Sequence, residues 1–231
     1  MLHLLHPIPA HSIHLIVFDL DGTLIDSRKD LTNSINAMLA EFGRQPLPEE
    51  IIATYIGDGA SMLVRRALGD PEDEPLVENA LQHFLAHYRQ HKLDFTYVYP
   101  GVFESLEVLK TLPDGTERKM AVLTNKPAIM SRHIIEGLGV GGHFFRIIGG
   151  DSLDRKKPDP LGVETLMREA GADRTQTMIV GDSAVDVATA RNAGVACCGV
   201  TYGFQPESLH DPAPDLVVDR MDQFADWLLN R

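Results

Sequence analysis

Residues 18–24 read Phe18-Asp19-Leu20-Asp21-Gly22-Thr23-Leu24 and follow the apolar run from Ile13 to Phe18. A short apolar run closed by a Gly-Thr turn predicts a buried strand that ends at the aspartates. Two carboxylates one residue apart at that end suit chemistry at the carboxyl edge of a sheet, where open α/β folds place their sites.

Downstream of this stretch the pattern turns helical. Ser27 reads as the N-cap of a helix running to about Phe42, which Gly43, Pro46 and Pro48 end. Further helices are predicted over Pro48–Tyr55, Ala60–Leu68 and about Glu74–Gln90. Residues 25–96 therefore read as an all-helical block with no strand partner for the first strand. From Pro100 the rhythm changes. Strands are predicted at Lys119–Thr124, Arg146–Gly149, Thr177–Val180, Val195–Val200 and Asp215–Val218, separated by helices. Such alternation implies βαβ units and a mostly parallel sheet. The expected fold is α/β: a Rossmann-like core of residues 1–24 and 97–231, with a small all-helical domain, residues 25–96, inserted after the first strand.

Composition narrows the partners. A net charge of −12 argues against nucleic acid, whose phosphates are bound by basic surfaces. A small anionic substrate stays compatible if a metal and a few cations reverse the local field. No apolar stretch is long enough to cross a bilayer. The adjacent Cys197 and Cys198 would point to opposite faces of a strand, which disfavours a bridge between them and suggests a reducing cytoplasm. His3, His6, His11 and His14 are irregularly spaced, so residues 1–14 read as a solvated extension rather than a metal site.

The later strands also end in polar clusters: Thr124-Asn125-Lys126-Pro127, the segment Lys156-Lys157-Pro158, and Gly181-Asp182-Ser183 followed by Asp186. In a parallel sheet all of these meet the first aspartates on one edge. Each cluster alone is an ordinary cap or turn; their succession at strand ends reads as a phosphoryl-transfer site. One carboxylate can attack phosphorus and form an acyl phosphate, while another shuttles the proton. Acidic oxygen ligands suit Mg²⁺. The Thr124 hydroxyl and the N–H groups of Gly22 and Thr23 could meet phosphate oxygens, and Lys157 adds positive charge.

These motifs closely resemble the haloacid dehalogenase superfamily across the whole chain, the helical insertion matching that family's cap. The resemblance implies that Asp19 is the nucleophile and a Mg²⁺ ligand. It implies that Asp21 is the acid and then the base, with its backbone carbonyl on the metal. Thr124 and Lys157 would hold the phosphoryl group, Asn125 would belong to the phosphate loop, and Asp182 would complete the metal site. Asp186 would orient Lys157 or a metal-bound water. An aspartate at position 21 points to phosphatase or mutase chemistry rather than dehalogenation.

Strings such as Val122-Leu123-Thr124-Asn125-Lys126-Pro127 and Tyr55-Ile56-Gly57-Asp58-Gly59-Ala60 further resemble the bacterial phosphoglycolate phosphatases. Gly57, Asp58 and Gly59 could present N–H groups to a small carboxylate and Arg66 could pair with it; equally, they could form only a turn into a helix beside a surface arginine. The expected partner is a small phosphorylated metabolite, most directly 2-phosphoglycolate, for a monomer or small homo-oligomer. Alternatives are a phosphatase of sugar phosphates, nucleotides or pyrophosphate, a β-phosphoglucomutase-like mutase, or a non-catalytic phosphate sensor on the same fold.

Overall fold

The computed structural model describes residues 3–5, 8, 12–112 and 114–230. In chain order its first strands are β1 (His3–Leu4), β2 (Leu15–Phe18) and β3 (Ile25–Asp26). Helices α1 (Arg28–Glu41), α2 (Glu49–Ala53), α3 (Ala60–Ala67) and α4 (Glu74–His91) follow. Then come β4 (Tyr97–Val98), α5 (Val102–Leu109), β5 (Lys119–Leu123), α6 (Ala128–Gly137), β6 (Arg146–Ile148) and α7 (Leu161–Ala170). The chain continues through β7 (Thr177–Gly181), α8 (Ala184–Ala193), β8 (Ala196–Val200), β9 (Leu216–Val218) and α9 (Met221–Leu229).

The main sheet has the order β1-β9-β8-β7-β2-β5-β6. Every pair is parallel except β1 with β9. Strand β2 lies between β5 and β7, with Phe18 level with Val122 and Val180. All four of its residues are buried. At about 1.5–3 kcal/mol per buried apolar side chain, they anchor the strand that carries the aspartates. Its alternation sets the two faces: Ile16 and Phe18 join one apolar cluster, Leu15 and Val17 the other. Cys198 and Cys197 divide the same way, both as free buried thiols.

Two expectations are corrected. Within the N-terminal extension the side chains of His3, Leu4 and Leu5 are exposed, yet His3 and Leu4 pair antiparallel with Val217 and Leu216, and the Leu5 N–H donates to Asp215 O at 2.8 Å. Those contacts use backbone groups on the β9 edge that would otherwise stay open. His6 and His11 lie outside the described residues. Nor are residues 25–96 wholly helical, since β3 pairs antiparallel with β4, Ile25 opposite Val98 and Asp26 opposite Tyr97. Both chain crossings between the core and the helices therefore run side by side. Buried Asp30 reinforces the joint by accepting from the N–H groups of Phe95 and Thr96 and from the Thr96 hydroxyl.

Above that joint α1 packs on α4. Leu31, Ile35, Met38 and Leu39 form the buried stripe of α1. Val77, Ala80, Phe84 and Tyr88 form that of α4, with the Phe84 and Tyr88 rings stacked at 5.6 Å. The spacing is that of an amphipathic helix face. One apolar cluster joins these stripes to the Ile16 and Phe18 face of the sheet. No helix among the described residues is long and apolar enough to cross a membrane.

Candidate active site

Asp19 follows β2 directly, and its N–H donates to Val180 O at 2.9 Å, so pairing with β7 persists up to the first residue of the site. The loop between β6 and α7 brings Lys157 over the same edge. Its Nζ lies 2.7 Å from Asp19 Oδ1 and 2.7 Å from Asp186 Oδ1. Asp186 is fixed in turn by a capping box at the start of α8: its Oδ2 accepts from the Ser183 N–H at 3.2 Å and the Ser183 hydroxyl at 2.7 Å. Local sequence thus sets the aspartate, the aspartate sets the lysine, and the lysine meets Asp19.

Asp182, at the end of β7, is held between two glycines. A Cβ on Gly22 would fall 2.2 Å from Asp182 Oδ2, and one on Gly203 would fall 2.2 Å from Asp182 Cβ. Gly22 also has φ +87°, in the region that favours glycine. The Phe204 N–H donates to Asp182 Oδ2 at 2.7 Å, and the Thr23 hydroxyl lies 3.4 Å from Oδ1.

Carboxylate oxygens of Asp19, Asp182 and Asp186 all lie within 4.8 Å of one another. Burial, with the Asp186 and Asp21 charges adding to it, outweighs the pull of Lys157 and pushes the Asp19 carboxyl up to about 6. Burial and the neighbouring Asp186 and Asp19 carboxylates raise Asp182 well above the usual carboxylate range. Burial opposes the charge of Lys157, but Asp186 and Asp19 outweigh it and hold the ammonium above the ordinary lysine value. Three buried carboxylates share a single lysine, an all-oxygen set with negative charge to spare. That donor chemistry fits a hard divalent cation.

The Asp21 side chain turns to a different group. Its Oδ1 accepts from the Ser27 hydroxyl at 2.5 Å, and Lys126 Nζ lies 2.9 Å from Oδ1 and 2.8 Å from Oδ2. Ser27 therefore does not cap α1 through its hydroxyl, as its position suggests; that hydroxyl serves Asp21. The turn after Asp21 corrects another expectation. Gly22 N–H donates to Ile25 O at 2.9 Å and Thr23 N–H to Leu20 O at 3.3 Å, so neither is offered to a ligand. The tight turn consumes them. The N–H groups of Leu20 and Asp21 have no partner among the described residues, so they are the donors this turn leaves free.

A half-open cavity of about 40 Å³ joins these groups to the helical insertion. Asp19, Asp21, Thr124, Asn125 and Lys126 line its core side; Gly57, Gly59, Leu31, Ile56 and Phe84 are among those lining the other. The insertion is latched over it. Asn125 Nδ2 donates to Gly57 O at 2.9 Å and to Lys157 O at 3.1 Å. Lys156 Nζ donates to Asp58 O at 2.6 Å and Gln205 Nε2 to Ile56 O at 2.5 Å.

Arg66 is elsewhere. Its guanidinium pairs with the Asp58 carboxylate at 2.5 Å and donates to Tyr55 O at 3.2 Å, and neither Arg66 nor Asp58 lines the cavity. A half-exposed pair of this kind contributes under about 1 kcal/mol. Arg66→Ala is therefore expected to lower kcat/KM for the preferred ester by less than about fivefold, measured by phosphate release. A hundredfold loss would put the guanidinium on the substrate.

Sequence reasoning passed over Lys126, Ser27 and the 202–205 loop as site residues. For Lys126 a signal existed: a cation beside Thr124 and Asn125 at a strand end. Gly203 and Phe204 offer none, because they act through a missing side chain and a main-chain N–H.

Residues 16–200 match the model of a family described as haloacid dehalogenase-like hydrolase. A phosphoglycolate phosphatase of Pseudomonas syringae pv. syringae is 42% identical over 211 residues, covering 89% of this chain and 76% of that protein. A phosphoglycolate phosphatase of Chromobacterium violaceum is 39% identical over 222 residues, covering 94% and 97% of the two chains. Among solved structures, one described as a predicted phosphoglycolate phosphatase from Haemophilus somnus 129PT superposes with a TM-score of 0.84 at 33% identity, covering 94% of this chain and 97% of its own.

Proposed function

The chain belongs to the haloacid dehalogenase-like hydrolase family, and from that membership we propose that it hydrolyses 2-phosphoglycolate to glycolate and phosphate through an aspartyl phosphate on Asp19. The observation that carries this reading is the placement of two carboxylates on one cavity, Asp19 beside Lys157 and Asp21 apart from the acidic cluster. One is set to attack phosphorus and the other to handle the leaving oxygen. Relatives at 39–42% identity that carry the phosphoglycolate phosphatase name support the substrate.

In the first step an Asp19 oxygen forms a bond to phosphorus as the bond to the ester oxygen breaks. Asp21 gives its proton to that oxygen, so glycolate leaves as an alcohol rather than an alkoxide. The Lys157 ammonium, the Thr124 hydroxyl and the Leu20 and Asp21 N–H groups hold the phosphoryl oxygens. Asn125 keeps the phosphate loop and the insertion together. In the second step Asp21 takes a proton from water, whose oxygen attacks phosphorus and returns Asp19 as a carboxylate. Asp186 holds Lys157 throughout. Asp19 and Asp182, with the Asp21 main-chain carbonyl, would hold Mg²⁺. When bound, the ion supplies positive charge to the transferring phosphoryl group.

The test is phosphate release from 2-phosphoglycolate, glucose 1-phosphate, nucleoside monophosphates and pyrophosphate. A preference for 2-phosphoglycolate is expected. Chelation should cut the rate by at least about 100-fold, with recovery on adding Mg²⁺. A profile centred on sugar phosphates would discard the substrate while keeping the chemistry. Full activity in excess chelator would remove the metal from the reaction.

A further inference from the structure

We propose that Lys126 is the specificity-determining residue that binds the carboxylate of the substrate; this rests on the reading of the substrate as 2-phosphoglycolate. Among the described residues lining the cavity, Lys126 carries the single cationic side chain. It is 7% exposed. Its Nζ stands 4.8 Å over the Tyr88 ring, which supports the ammonium from behind. A buried ammonium facing a ligand cavity is costly unless anions surround it. Lys126 lies in the short turn between β5 and α6, with Pro127 directly after it.

Reach follows from the contact with Asp21. The Lys126 Nζ is 2.8 Å and 2.9 Å from the two Asp21 oxygens. An Asp21 that protonates the leaving oxygen must sit within about 2.7–3 Å of it. The leaving oxygen and the Lys126 ammonium are thus neighbours of the same carboxyl group. In 2-phosphoglycolate a single carbon separates the ester oxygen from the carboxylate, so an ammonium next to the acid is also next to that carboxylate. An ammonium has three N–H donors, and the Asp21 contacts leave one over for another anion. Leu31, Ile56 and Phe84 on the insertion side are apolar and offer a carboxylate nothing. Arg66, the cation expected from sequence, is committed to Asp58 outside the cavity.

The experiment compares kcat/KM for 2-phosphoglycolate with that for ethyl phosphate, which keeps the two-carbon ester and lacks the carboxylate. It uses wild type, K126Q and K126R, each checked for folding by circular dichroism. Both esters lose rate in K126Q because Asp21 loses a partner. The proposal requires 2-phosphoglycolate to lose at least about 100-fold more than ethyl phosphate, the penalty of leaving a buried anion unpaired. K126R should recover part of that difference. Equal losses for the two esters would overturn the proposal and leave Lys126 as a partner of Asp21 alone. Should K126Q fold poorly, K126M takes its place, and equal losses for the two esters in that variant would overturn the proposal equally. A wild type that does not prefer 2-phosphoglycolate removes the substrate reading and the proposal together. A preference that survives in K126Q removes only the proposal.

Discussion

Asp19→Asn stops phosphate release, lowering kcat by at least about 10,000-fold, because the covalent route disappears with its nucleophile. The amide keeps the volume of the carboxyl and a hydrogen-bond acceptor for Lys157, so the loss is chemical rather than structural. The same substitution changes stability in a direction the electrostatics specify. In the folded, metal-free protein Asp19 titrates near 6, raised by burial and by Asp186 and Asp21 against Lys157. Its ordinary value is 3.8. Between those values the folded state binds more protons at this site than the unfolded state does, so stability falls as pH rises. Above about 6 the folded group carries its full unfavourable charge. Asn carries none. Asp19→Asn should therefore melt higher than wild type above pH 6 in chelator, with the gap closing towards pH 4. Divalent metal should raise the melting point of wild type more than that of the variant. Kinetics and thermal melts on one preparation check both halves. Residual hydrolysis above one per cent of wild type would mean that another group attacks phosphorus.

The carboxyl edge of the sheet was legible because each of its strands is a short apolar run with polar residues at one end. Asp19, Thr124 and Asp182 sit where those ends converge, parallel pairing aligns the strands that carry them, and the loop after β6 brings Lys157 over the same edge. What escaped was of a different physical kind. Strands β3 and β4 have two residues each, too few for alternation to register. Ser27 has the right identity and position for a cap, yet its hydroxyl has a stronger acceptor in the Asp21 carboxylate. The Gly22 and Thr23 N–H groups looked available because composition says where a chain turns. It does not say which donors the turn itself consumes. Arg66 was expected at the ligand because it is the cationic residue near Gly57 and Gly59 in sequence. The fold supplies Lys126 from another element and gives Arg66 to Asp58.

Asp21→Asn separates the two halves of the reaction. An alkyl ester such as 2-phosphoglycolate expels an alkoxide unless a proton arrives with bond breaking. Losing the acid should therefore lower kcat by about 1,000-fold, within the range of general acid–base effects. Asn is the informative replacement because it still accepts from Lys126 and Ser27, which an alanine would strand. With p-nitrophenyl phosphate the leaving group departs as a stabilised anion and needs no proton. The first transfer, to Asp19, should then proceed at nearly the wild-type rate. The second step still needs a base for water, so the aspartyl phosphate accumulates. The expected trace in rapid mixing is a burst of nitrophenolate equal to one enzyme equivalent, followed by slow turnover. Because Asp21 lies with Lys126 and Ser27 rather than among Asp19, Asp182 and Asp186, its loss should leave the acidic cluster intact. Metal affinity measured by calorimetry should thus change little, whereas Asp182→Asn should weaken it. Absence of the burst, with both esters slowed alike, would show that Asp21 acts through the geometry of the site and not through its proton.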